Sequence, residues 1–162
     1  MAGFFIMCYT HTMTIFIAAD HRGFELKNKI IEYLHEKNIR IEDLGSYQYN
    51  PVDDYPIFAQ KVAQAVLQNA KEYFGIVICG SGVGVSIVVN RFPGIRCALG
   101  FNKDQVAHSR GHDHINVLSL PSDYIDFEKT KELIDVFLQT PIKQDEKYFR
   151  RIKELDEISL SH

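Results

Sequence analysis

Short β-branched apolar runs alternate with longer stretches of helical period along almost the whole chain. Thr14–Ala19 reads as a first strand, and Phe24–Lys37 carries Leu26, Ile30, Ile31 and Leu34 at helical spacing. Ile39–Leu44 alternates apolar and charged residues as a half-buried strand does. Asp54-Tyr55-Pro56 opens a helix with proline near its first turn, and Ile57–Ala70 continues it. Phe74–Cys79 is the third strand, followed by a glycine turn and a short helix that Pro93-Gly94 breaks. Ile95–Gly100 is the fourth strand, and Asn102–Arg110 a helix capped by Asn102. Asn116–Leu120 is the fifth strand and Asp126–Gln139 an amphipathic helix. Thr140-Pro141 interrupts it before a charged helix over Asp145–Ile158. Five β–α units in series predict an α/β protein, a five-stranded parallel sheet with helices on both faces. With no linker, repeat or low-complexity tract, residues 13–162 read as one domain. Residues 1–12 read as an extension, or as the product of a start codon assigned too early.

The run from Ile76 to Ser86 concentrates the chemistry. A β-branched strand ends in Cys79 and opens into Gly80-Ser81-Gly82-Val83-Gly84. Glycines at alternate positions let backbone N–H groups point into one small space. The start of the following helix adds unpaired N–H groups of its own. Such a place stabilises an anion, a thiolate included. A thiolate beside an anion hole is equipment for proton abstraction with a stabilised oxyanion. The bland reading is a buried strand-end cysteine and a ligand-free tight turn. Asp20-His21 ends the first strand and Phe101-Asn102 the fourth, so polar groups gather at the carboxyl edge, where parallel sheets bind ligands. Asp20 also suits a turn-capping role.

Bulk composition excludes several classes. A net charge of -3 gives no support for nucleic-acid or anionic-membrane binding. No apolar run approaches the roughly 20 residues of a membrane span. Three cysteines (Cys8, Cys79, Cys97) without a CxxC pair argue against a disulfide framework or a zinc site, and predict a reducing, cytoplasmic setting. Cys97 reads as core and Cys8 as incidental. The seven histidines form no metal-ligand spacing, so no metal is expected.

His112 breaks the pattern. It lies just before the fifth strand, at the amino edge, about one strand length (roughly 17–20 Å) from Cys79. If His112 is functional, a second subunit must supply it. That predicts a dimer with shared sites.

Taken together, Asp20-His21-Arg22-Gly23-Phe24-Glu25-Leu26-Lys27, Asp54-Tyr55-Pro56, Cys79-Gly80-Ser81-Gly82-Val83-Gly84, Pro93-Gly94-Ile95-Arg96 and His112-x-x-x-Asn116-Val117-Leu118 resemble the type B ribose-5-phosphate isomerases. That family includes the galactose-6-phosphate isomerase subunits. The resemblance runs from about Met13 to Ile158. It implies a Rossmann-like three-layer α/β/α sandwich, a homodimer or tetramer, and no metal or organic cofactor. The implied reaction interconverts an aldose phosphate and a ketose phosphate through a cis-enediolate, with ribose 5-phosphate the default substrate and the pentose phosphate pathway the setting. By resemblance Cys79 is the base, Ser81 a proton shuttle and His112 the ring-opening histidine. Asp20 and His21 contact the sugar and its phosphate, with any contact from Tyr55 secondary. Backbone N–H groups across Gly80, Gly82, Gly84, Val85 and Ser86 hold the enediolate oxygen.

The chain also departs from the family pattern. Asp113 stands where an Asn donates to the enediolate, and Asp123 where a phosphate-binding Arg is expected. The C-terminal helix offers Lys147 and Arg151 four residues apart on one face, two cations for the phosphate. Unaided by the motifs, those charges would read as a solvated face. The competing readings are an isomerase of allose or galactose 6-phosphate, a nucleotide- or flavin-binding module, and an inactive interaction protein of the same fold. Against the nucleotide module, the glycine loop follows the third strand without GxGxxG spacing.

Overall fold

The computed structural model describes residues 13–158. The proposed extension and Cys8 lie outside the described residues. Thr14–Ala19 (β1), Arg40–Asp43 (β2), Tyr73–Cys79 (β3), Cys97–Leu99 (β4) and Val117–Pro121 (β5) pair in parallel in the order β2-β1-β3-β5-β4. The helices are Phe24–Glu36 (α1), Tyr55–Leu67 (α2), Val83–Val89 (α3), Lys103–Asp113 (α4), Phe127–Gln139 (α5) and Glu146–Ile158 (α6).

Strand alternation sorts the core into two layers. Ile15, Ile17 and Ala19 face one side with Ile30 and Leu34 of α1, Val106 of α4, and Leu133 and Phe137 of α5. Phe16 and Ala18 face the other with Ala59, Val62 and Val66 of α2 and Val85 and Val89 of α3. Right-handed crossovers explain the split. The chain steps one way from β1 to β2 and from β4 to β5, and the opposite way from β2 to β3 and from β3 to β4. The connecting helices therefore fall on opposite faces, which gives the expected three-layer sandwich.

The strand order reverses between β1 and β3, the switch point at which sheets of this kind form a ligand crevice beyond the strands' carboxyl ends. Asp20 and Cys79 come to its mouth together: the Asp20 N–H extends the ladder by donating to the Ile78 carbonyl at 3.3 Å. Lys27, with no exposed surface, ties down the rim by donating to Asp43 at 2.5 Å and to the Ser46 carbonyl at 2.8 Å.

Helix ends largely follow local chemistry. Asn102 caps α4 as expected, accepting from the Gln105 N–H at 2.8 Å, and Asp126 caps α5 by accepting from the Lys129 N–H at 2.8 Å. One boundary differs. α4 continues past Arg110 to Asp113 and stops only at His114, whose φ of 49° is left-handed. Distant partners hold that conformation: the His114 ring donates to the Lys143 carbonyl at 3.2 Å, and Arg96 donates to the His114 carbonyl at 3.2 Å. β4 is also shorter than the run 95–100, because Asn116 takes the Arg96 N–H at 2.9 Å and bonds the Gly94 carbonyl at 2.9 Å.

Candidate active site

Cys79 ends β3 almost fully buried, 5% exposed, among side chains of α2 and α3. Its carbonyl is held by the Ser122 N–H at 3.0 Å and the Ser122 hydroxyl at 3.1 Å. The chain then turns through Gly82 at φ +72°, and the Gly82 carbonyl accepts from the Ser119 hydroxyl and the Ser86 N–H. A side chain at 82 would strike Leu99 at 2.5 Å and the β5 backbone at 3.1 Å. Only glycine fits both the conformation and the space. At Gly84 an added Cβ would lie 2.7 Å from the Tyr55 ring, so Tyr55 packs flat against this backbone.

The amide groups of Gly80, Ser81, Gly82, Gly84 and Val85 donate to no acceptor among the described residues. Amides left unbonded at a glycine-rich turn are available to an anion. Ser86 is not among them. Its N–H is spent on Gly82 at 3.2 Å and its hydroxyl on the Val83 carbonyl at 2.8 Å, because it already lies inside α3. The Val85 side chain is in the core, leaving only its amide available. The Ser81 oxygen accepts from the Val83 N–H at 3.2 Å, which leaves the hydroxyl proton to donate elsewhere.

Across the crevice, Asp20 is 6% exposed, and one carboxylate oxygen accepts from the Arg22 and Gly23 N–H groups at 3.0 and 3.2 Å. Burial pushes its carboxyl above the ordinary range, against those N–H bonds and His21, which favour the anion. His21 follows, bonded through its ring and its N–H to Asp53. Arg22 pairs with Asp123 directly over Gly80. Asp123 is thus matched with a cation of its own chain, and does not stand alone where a phosphate-binding Arg is expected. Sequence reasoning missed Asp53 and the Arg22–Asp123 pair. Asp53 lies in the loop before α2, next to the Asp54 that precedes its first residue, and no local signal links Arg22 to a residue 101 positions on.

The remaining candidates form a second cluster. His112 occupies the last turn of α4, its ring 4.0 Å from that of His108 and stacked 4.6 Å from Tyr148 of α6. Partial desolvation and the nearby His108, Lys143 and Lys147 hold its imidazole below the usual histidine value, Asp113 opposing. Asp113 is exposed and lines a cavity of about 370 Å3 with Arg96 and Leu155. Lys147 and Arg151 are exposed on α6, which packs on α4. Cys79 pairs in register with Pro121, the last residue of β5, whereas His112 precedes the first. One chain thus keeps Cys79, Ser81, Asp20, His21 and Tyr55 at one sheet edge and His112, Asp113, Lys147 and Arg151 at the other. Burial raises the thiol of Cys97, the other described cysteine. No described helix is long and apolar enough to cross a membrane.

A doubly wound parallel sheet with a buried acid, a cysteine and unbonded amides at its switch point has the make-up of an α/β enzyme. The chain belongs to the ribose/galactose isomerase family, whose model matches residues 15–155. It is similar to ribose-5-phosphate isomerase B of Mycobacterium tuberculosis, 33% identical over 150 residues that cover 93% of this chain and 92% of the relative. Among solved structures it resembles ribose-5-phosphate isomerase B from Mycoplasma genitalium with bound ribulose-5-phosphate. The TM-score is 0.89 at 36% identity, covering 93% of this chain and 99% of that one. A Thermotoga maritima ribose 5-phosphate isomerase gives 0.85 at 44% identity, covering 91% and 99%.

Proposed function

We propose that this enzyme interconverts ribose 5-phosphate and ribulose 5-phosphate through a cis-enediolate. The observation that carries the reading is Cys79 at the strand end beside a nest of uncommitted amides. In the open-chain aldose, the Cys79 thiolate takes the proton from carbon 2. The electron pair moves onto the carbonyl oxygen of carbon 1, giving the enediolate. The amides of Gly80, Ser81, Gly82, Gly84 and Val85 offset that charge where water is excluded. Ser81 passes a proton between the two oxygens, and Cys79 returns its proton to carbon 1. Asp20 contacts the sugar, and Tyr55 forms a wall of the pocket.

His112 opens the sugar ring beforehand from a second subunit, since its own chain holds it at the far sheet edge. Lys147 and Arg151 come with it, and join His21 of the first subunit around the phosphate. The active form is therefore a homodimer with two composite sites, or a tetramer made of two such dimers. The substrate is tested by comparing kcat/KM across ribose 5-phosphate, allose 6-phosphate and galactose 6-phosphate. The expected result is a preference for the five-carbon sugar, and a higher value for a six-carbon sugar overturns it.

A further inference from the structure

We infer that Asp53 is the positioning residue that sets the orientation of the His21 ring at the rim of the Cys79 site. The inference rests on the reading of His21 as a phosphate contact and deepens it. One oxygen, Asp53 Oδ1, accepts twice from the same residue, from the His21 backbone N–H at 3.0 Å and from ring Nδ1 at 2.7 Å. Two bonds to one atom fix the His21 backbone and its side-chain torsions together, across 32 residues of chain. Tyr49 meets the ring edge-on, its centroid 6.4 Å away.

Burial distinguishes the partners' roles. The Asp53 side chain is 6% exposed and that of His21 25% exposed, so the carboxylate forms the inner wall and the ring the surface. The second oxygen, Asp53 Oδ2, is buried with no partner among the described residues. A half-satisfied buried carboxylate is costly, and a plain surface turn has no use for one. A carboxylate behind an imidazole is how histidines are oriented at metal centres and catalytic triads. With Nδ1 committed to Asp53, Nε2 is the ring atom left to meet a ligand. A ring carrying both protons donates one to Asp53 and the other to a phosphate oxygen. Asp53 itself never touches the substrate.

Full-length variants test this. Asp53→Asn keeps an oxygen that accepts from both N–H groups, and Asp53→Ala keeps none. Asp53→Ala should raise the KM for ribose 5-phosphate about tenfold, and weaken inhibition by inorganic phosphate by a similar factor, with kcat within about twofold. Asp53→Asn should stay within about threefold of the parent in both. Long-range proton–nitrogen spectra of the free enzyme should show the His21 Nδ1 proton held in the parent and Asp53→Asn, and lost in Asp53→Ala. Asp53→Ser, too short to accept either bond, replaces Asp53→Ala if that variant does not fold. A lower Tm with unchanged KM, phosphate inhibition and His21 signals makes Asp53 a scaffold residue and overturns the inference. His21 signals that change in Asp53→Ala, together with an unchanged KM in His21→Ala, uphold the positioning and overturn the phosphate reading instead.

Discussion

Replacing Cys79 with Ala removes one sulfur from a buried position and leaves the strand-end carbonyl bonded to Ser122. Loss of a general base costs about 10²–10⁴-fold in rate. Cys79→Ala should therefore lose isomerase activity on that scale while melting close to the parent, as steady-state rates and thermal denaturation will show. Gly82→Ala should behave differently. A residue held at φ +72° with a Cβ 2.5 Å from Leu99 and 3.1 Å from the β5 backbone adds strain to a clash. The expected loss is about 1–3 kcal/mol by denaturant titration, with activity falling because the amides of the nest move. Asp20 gives a pH test. Its folded pKa is raised, chiefly by burial. Its contribution to stability is thus fully present below the unfolded carboxylate value, and is lost as pH rises through the folded value. Asp20→Asn keeps an acceptor for the Arg22 and Gly23 amides without the buried charge. It should match or exceed the parent's Tm at pH 7, lose that advantage near pH 3, and lose activity throughout.

Among the elements, α4 joins a locally coded beginning to a remotely imposed end. Asn102 caps it through a single bond to the Gln105 N–H, so Asn102→Ala should cost about 1 kcal/mol by denaturant titration. That start, all five strands and the glycine turn were legible because their signals lie within a few residues of one another. The end of α4 was not. His114 adopts a left-handed conformation because Arg96 and Lys143, distant in sequence, bond to it. His112 is thereby helical and stacked on Tyr148, where the sequence predicts that it lies just past the helix. The same distinction runs through the site. Cys79, Asp20 and the glycines announce themselves by motif and strand position. Asp53 and the Arg22–Asp123 pair act across 32 and 101 residues, and nothing beside them in the sequence names the partner. Ser86 errs in the other direction: the resemblance implies a free amide, but α3 has already consumed it.

In the whole molecule, the sheet itself separates the two halves of the chemistry. β5 runs from Val117 to Pro121, with the His112 cluster before its first residue and Cys79 in register with its last. Five residues of strand hold these groups roughly 17 Å apart or more, too far for one sugar phosphate to bridge. We propose that Cys79 of one subunit and His112 of another complete each site. Subunit exchange between Cys79→Ala and His112→Ala, each inactive alone, tests it most directly. In a mixed dimer, one site loses both groups and the other regains both. Random pairing in equal amounts makes half the dimers mixed, so about a quarter of the parent activity should return. Activity that stays at the level of the separate variants after verified exchange, or a fully active monomer, would contradict it.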